Sequence, residues 1–181
     1  MESVLSMNTG SFRDPDNRVY EIVSSDNNKR ILRGLSHSAL VTYNALSEQG
    51  LYKKFMGSGK IVNTKLLAQD ENEAKKVLAD GWAGVIEHEP IPFITYPYEW
   101  TFSMLKDAAL LHLKLIEKSL EHGWTMKDAT PYNIPWIGSR PIFIDIPSFQ
   151  PREDGEPWIG YRQFCSMFLT PLILKAHLRI D

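Results

Sequence analysis

Between residues 101 and 146 the chain changes character three times, and that order constrains the fold more than any other feature. Phe102, Leu105, Ala109, His112, Ile116 and Leu120 recur at helical spacing along one face, and Leu111 and Leu115 widen it. An apolar sector this wide predicts a helix packed in the middle of a structural layer. Thr101 or Ser103 serves as its N-cap, and Gly123 as its stop. A polar loop follows, carrying Asp128 and Asn133. Two short apolar runs, 134–137 and 141–146, then flank Gly138-Ser-Arg140. That pattern reads as a hairpin on a tight glycine-containing turn. A hairpin this short brings its ends together, so Asn133 and Asp145 are expected to be neighbours.

The preceding half reads as strands with helices between them. Residues 1–17 are polar and turn-rich. Segments 18–23 and 30–35 are predicted strands around the Asx-rich turn Ser24-Ser-Asp-Asn-Asn28. Ser36 or Ser38 caps a helix through Ala39, Leu40, Tyr43, Leu46 and Leu51, which Gly57-Ser-Gly59 ends. Segment 61–67 is a strand or an extended edge, and 72–80 a short charged helix closed by Gly81. Segments 82–87 and 91–96 are two further strands. Pro90, Pro92 and Pro97 place the second at an edge or make it a rigid extended connector. Beyond the hairpin, 151–157 is a charged loop. Segment 158–178 is helical, with Pro171 expected to kink or break it.

Composition narrows the partners. At 181 residues with 43% hydrophobic side chains, the chain has material for one domain or two small lobes. A net charge of −2 and a pI of about 6.2 exclude the strongly basic face of a nucleic-acid binder. No polybasic run or long apolar span addresses a membrane, and the N-terminus carries no secretory signature, so a cytoplasmic protein is expected. Cys165, the single cysteine, lies in an apolar stretch and reads as a small core residue. The five histidines, at 37, 88, 112, 122 and 177, share no ligand spacing, and His112 reads as a packed core residue.

The chemistry sits in Asp128, Asn133 and Asp145. Phosphoryl transfer of the kinase type needs a loop Asp that orients or deprotonates the acceptor hydroxyl. It also needs an Asn at the loop's end and an Asp after the next strand to hold Mg²⁺ against the phosphates of ATP. Mg²⁺ is hard and takes carboxylate and amide oxygens. Asp128 is the expected base, and Asn133 and Asp145 the expected metal ligands. A carboxylate beside the apolar run 142–144 is costly to bury without a cation or hydrogen bonds. The competing reading is a turn-rich structural hairpin, since Asp and Asn are common turn residues. Arg33, at the end of a predicted strand, with Glu48 on the following helix, is a candidate for the phosphate-gripping ion pair; Lys65 is its rival. Tyr96 and Tyr98, with Trp100, either wall an adenine pocket or pack the lobes together.

The order of elements is that of a protein-kinase-like two-lobed α+β fold. It implies a strand-rich N-lobe over 1–95, a hinge over 96–101 and a helical C-lobe over 102–181. The C-lobe carries the catalytic-loop-like segment 127–149, and truncation of that lobe is left open. Asp128, Asn133, Asp145 and the long helix give a broad resemblance to protein-kinase-like enzymes, including aminoglycoside-type small-molecule kinases. A narrower resemblance covers nearly the whole chain. It rests on Ser11-Phe-Arg-Asp-Pro15, Pro92-Phe-Ile-Thr-Tyr-Pro-Tyr-Glu-Trp100, Leu105-Lys-Asp-Ala-Ala109, Lys127-Asp-Ala129, Tyr132-Asn133, Gly155-Glu-Pro-Trp158 and Tyr161-Arg-Gln-Phe-Cys165. These strings resemble the N-terminal part of a bacterial family. Its longer members continue into a class I SAM-dependent methyltransferase domain, and some are named nodulation proteins.

The chain departs from both patterns. Lys127 stands where kinases carry Arg or Gly, Ile146-Pro-Ser148 replaces Phe-Gly, and no G-x-G-x-x-G occurs. No Gly-rich acidic loop for SAM follows a strand, so methylation by this chain alone is not expected. Two functions therefore stand: an ATP/Mg²⁺-binding kinase-like domain acting on a small-molecule acceptor, or a non-catalytic accessory module of a SAM-dependent methyltransferase.

Overall fold

Period-two alternation builds the first part of the molecule. β2 (Asn17–Val23) and β3 (Lys29–Leu35) pair antiparallel, with Tyr20 opposite Leu32 and Val19 opposite Arg33. Alternate residues therefore face opposite sides of the sheet. Tyr20, Ile22, Leu32 and Val85 share one side, and Ala74 and Val77 of α3 (Asn72–Leu78) close over them with Leu67. The sheet is antiparallel throughout, in the order β1-β2-β3-β5-β4, with β1 (Val4–Met7), β4 (Thr64–Leu66) and β5 (Gly84–His88) completing it. Gly34 is required in β3, because a Cβ there would stand 2.5 Å from the Trp82 indole. That indole donates to Tyr20 Oη at 2.8 Å, and Tyr20 donates to Asp80 at 2.7 Å.

The structure, a computed structural model, describes residues 4–8, 14–23 and 28–178. It is a mixed α+β chain in two compact units. One is Met1–Gly50 with Val62–Pro90; the other is Leu51–Ile61 with Ile91–Asp181. The division differs from the expected 1–95 and 102–181, because 51–61 joins the second unit. The reason is packing. In α2 (Leu51–Gly57) the Tyr52 ring meets Phe149 edge-on at 5.7 Å, and Phe55 stacks on the same ring at 6.1 Å. Lys60 O accepts from Phe143 N at 2.9 Å. The single helix expected from Ser36 through Leu51 is accordingly two. Ser36 caps α1 (His37–Glu48) through Ala39 N, and Gly50, at φ +72°, turns the chain before α2.

The second unit is organised by α4 (Phe102–Leu120), capped by Thr101. Its inner face is Leu105, Ala108, Ala109, Leu111, His112, Leu115, Ile116 and Ser119. Beyond it, β6 (Trp124–Met126) pairs with β9 (Phe149–Pro151), and β7 (Trp136–Ile137) with β8 (Arg140–Pro141). Phe143, Phe149 and Phe168 are fully buried between these elements.

Two expectations are corrected, and two that were left as alternatives are narrowed. Residues 1–17 contain a strand: β1 places Leu5 opposite Ile22 and against the first core. Segment 91–96 forms no strand, since Pro90, Pro92 and Pro97 lack the N–H groups a ladder needs. The hairpin is shorter than 141–146. After β8 only Phe143 makes a bridge, parallel to Ile61, and Ile146–Ser148 is a 3₁₀ turn. Pro171 does not break its helix, and the distortion expected there is a π-helical segment. α5 (Tyr161–Phe164) runs through a π-helical segment, Cys165–Leu169, into α6 (Thr170–Leu178). A π turn absorbs the mismatch where proline removes a ladder hydrogen bond. The Asx-rich turn lies, through residue 27, outside the described residues, as do 11–13.

Candidate functional site

Three separate constraints fix the loop around Asp128. Lys127 N donates to Ser148 O at 2.7 Å, Ala129 N donates to Gln163 Oε1 at 2.8 Å, and Trp158 Nε1 donates to Met126 O at 2.9 Å. The peptides on both sides of Asp128 are thus tied to different elements. Asn133 ends the 3₁₀ turn Pro131–Asn133, which Thr130 caps by accepting from Tyr132 N. Its carbonyl accepts from Ile144 N at 3.0 Å, and this locks the turn to the segment leading to Asp145. Asp145 itself sits at φ −92°, ψ 73°, with Ile146 N donating to Ile144 O at 3.1 Å. That is an inverse γ-turn, a sharp reversal that turns the carboxylate off the strand direction.

The three side chains converge. Asn133 Nδ2 donates to Asp128 Oδ1 at 3.4 Å and to Asp145 Oδ2 at 3.3 Å. Ser148 Oγ, almost fully buried, donates to the same Asp128 oxygen at 3.3 Å. Asp128, Asn133 and Asp145 are each half-buried, open enough to meet a ligand. One amide NH₂ carries two protons, so Asn133 serves two carboxylates at once and offsets their mutual repulsion. A rotation of that amide about its terminal bond would present Oδ1 instead. Among the described residues no three His, Cys, Asp or Glu side chains form a metal cluster. The set here is two carboxylates, a carboxamide and a hydroxyl. That donor set fits Mg²⁺, which keeps several waters and takes one or two carboxylates plus substrate phosphates.

Arg33, Glu48 and Lys65 belong to the first unit, and Tyr96 and Tyr98 to the second. Arg33 is buried on β3, while Glu48 is exposed at the end of α1 and, among the described residues, forms no ion pair with it. Lys65 pairs at 3.0 Å with Glu87, whose carboxyl is held below its usual range chiefly by the Arg30 hydrogen bond. Tyr96 and Tyr98 are exposed and stack on each other, while Trp100 is buried against Trp136. His112 is a core residue: burial alone pushes its pKa down to about 4. Ser148 and Gln163 are the site residues that sequence reasoning missed. Ser148 follows Asp145 by three, one 3₁₀ turn, which is a legible signal; Gln163 carries none.

No family model matches the chain. It is 38% identical over 167 residues to the nodulation protein NoeA of Rhizobium meliloti (strain 1021), a match over 92% of this chain and 33% of that protein. The chain spans about a third of the length of that relative. All three carboxylate-site residues and Tyr96, Tyr98 and Gln163 belong to the second unit. No helix among the described residues is long and apolar enough to cross a membrane.

Proposed function

We propose that this chain is an ATP/Mg²⁺-binding domain of the kinase type, acting on a small-molecule hydroxyl acceptor. The observation that carries the reading is the Asn133 carboxamide within hydrogen-bond reach of both Asp128 and Asp145. A five-stranded antiparallel sheet in one unit and a helical second unit with this loop suit a protein-kinase-like fold. Asn133 and Asp145 would hold Mg²⁺, which when bound neutralises charge on the transferring phosphoryl group. Asp128 is the base that orients the acceptor hydroxyl and takes its proton. Ser148 fixes the rotamer of that carboxylate by donating to Oδ1. Gln163 and Trp158 hold the flanking peptides, so Asp128 meets its substrate on a rigid loop.

A second reading is favoured by one observation. α6 is mostly apolar, yet none of its residues is buried, and Ile173, Leu174 and Leu178 are exposed. A helix of this kind suits a non-catalytic module docked on a larger protein, and the relative is three times the matched length. In that reading the partner is a SAM-dependent methyltransferase, as the family resemblance implies.

Calorimetry with ATP, with and without Mg²⁺, separates the two. The kinase-type reading expects binding that requires Mg²⁺ and disappears in Asp145→Ala. In Asp128→Ala binding should persist, and any turnover should fall by roughly 10²–10⁴-fold. Equal affinity with and without Mg²⁺, or no binding, leaves the accessory reading.

A further inference from the structure

Two rigid turns of the second unit display tyrosine rings to solvent. Pro97–Glu99 is a 3₁₀ turn in which Glu99 N donates to Tyr96 O at 2.9 Å and Tyr96 N donates to the Glu99 carboxylate at 2.7 Å. Its base is anchored by Trp100, buried against Trp136 with ring centroids 6.2 Å apart and donating from Nε1 to Thr95 Oγ1 at 3.0 Å. Tyr132 rises from the second 3₁₀ turn, between Pro131 and Asn133. Exposure is 43% for Tyr96, 74% for Tyr98 and 53% for Tyr132. Tyr96 and Tyr98 are in ring contact, and Tyr98 is held above its usual pKa by partial desolvation, then by Glu99, Tyr96 and Tyr132 in turn.

Large aromatic rings held this far out of the core, on proline-started turns that allow them little backbone freedom, are preorganised for stacking. The geometry selects what stacks. Tyr96 and Tyr98 are parallel within 5° and their centroids are 5.5 Å apart. A flat base sandwiched between two rings needs them about 7 Å apart, twice the contact distance of roughly 3.5 Å. The pair is therefore a single platform rather than a slot for a nucleobase. The charged group built into the turn is Glu99, which disfavours a phosphate. A ring that lays positively polarised C–H groups on the negative π face, and offers hydroxyls to three phenols, is a neutral pyranose. We infer that Tyr96, Tyr98 and Tyr132 form a saccharide-binding platform, with Tyr132 placing the bound sugar beside Asn133. This goes beyond the phosphoryl-transfer reading and does not need it, although a sugar hydroxyl is an acceptor that Asp128 would suit.

The test is saccharide binding without nucleotide or Mg²⁺, so that it stands apart from the ATP experiment. Cellotetraose, chitotetraose and maltotetraose are titrated by calorimetry and by ¹H NMR of the tyrosine rings, with AMP in parallel. At least one tetrasaccharide should bind and shift the Tyr98 and Tyr132 resonances. Tyr98→Ala and Tyr132→Ala should each weaken it about 3- to 10-fold, the worth of one aromatic contact, and Tyr98→Trp should restore it. Both side chains are exposed, so these variants fold. Three outcomes overturn the inference: no binding of any of the three sugars, binding indifferent to both alanine variants, or AMP binding that depends on Tyr98 while the sugars do not bind.

Discussion

His112 makes the stability of the second unit depend on pH. Its ring is fully buried among Phe143, Trp158, Phe164 and Phe168, with centroids 5.7–6.1 Å away, and among the described residues neither Nδ1 nor Nε2 has a hydrogen-bond partner. An imidazolium there would have aromatic neighbours and no carboxylate, so burial lowers its pKa from 6.5 to about 4. The folded pKa is depressed for a base, so the folded state stays neutral where the unfolded chain takes up a proton. Between pH 6.5 and 4 the unfolded state binds more protons, and stability falls as pH falls. The whole difference is worth about 3.5 kcal/mol well below pH 4, from roughly 2.5 pH units at about 1.4 kcal/mol each. At pH 5 roughly 2 kcal/mol is already lost, and at pH 7.5 almost none.

The comparison is wild type against His112→Phe, in urea melts at pH 7.5 and 5.0. Four of the five tryptophans, Trp100, Trp124, Trp136 and Trp158, lie in the second unit and Trp82 in the first, so tryptophan fluorescence reports mainly on the second. Phenylalanine removes the proton-binding site and two unpaired nitrogens at the expense of some overpacking, typically about 1–3 kcal/mol. That cost is the same at both pH values and cancels. His88, buried with its pKa well below 6.5 through desolvation and the nearby Arg33 charge, adds a slope of the same sign to both proteins and also cancels. The wild type should therefore lose about 2 kcal/mol more than the variant on acidification. Equal losses, or a His112 ring that titrates near 6.5 by NMR, would refute the reasoning.

Two further outcomes test the packing around the site and the sheet. Gln163→Leu leaves the Ala129 N–H without its acceptor in a fully buried residue, and should lower stability by about 1–3 kcal/mol in urea melts, with Gln163→Glu, which keeps an acceptor, closer to wild type. Gly34→Ala sets two effects against each other: the strand gains roughly 0.5–1 kcal/mol in backbone entropy, but the new Cβ meets the Trp82 ring at 2.5 Å. Displacing that ring also breaks its bond to Tyr20, so a net loss of about 1–2 kcal/mol is expected, and an equal or higher melting temperature would show that Trp82 has room to move.

What was legible in the sequence was local. The apolar recurrence in α4, the Ser36 cap and the turn at Gly138 depend on neighbours a few residues apart, and each formed where spacing put it, although the strands around Gly138 are shorter than the two apolar runs. What was not legible depends on partners far along the chain. Tyr52 and Phe55 belong with the second unit because Phe149 lies under them, and nothing near residue 55 announces that contact. The polar surroundings of the short apolar run Val4-Leu-Ser-Met7 hid β1, whose pairing partners in β2 lie more than ten residues along the chain.

The carboxylate site combines both kinds of information. Spacing predicted that Asn133 and Asp145 meet, and their side chains are 3.3 Å apart. The route differs from the expected one: Asp145 arrives through an inverse γ-turn after a two-residue strand, not at the end of a long hairpin. A proline explains the difference. Ile142 N and Ile144 N still donate to Pro135 O and Asn133 O, but Pro135 has no N–H to return, so the pairing runs one way only and the chain turns back at Asp145. That fold-back puts Ser148 under Asp128 and gives its hydroxyl to Oδ1, while its carbonyl accepts from Lys127 N. The Ile-Pro-Ser sequence, a departure from the kinase pattern when read alone, is thus the segment that ties the loop of Asp128 to the turn of Asp145. Substitutions at Pro147 should therefore act on both carboxylates together, since one short turn holds the two halves of the site.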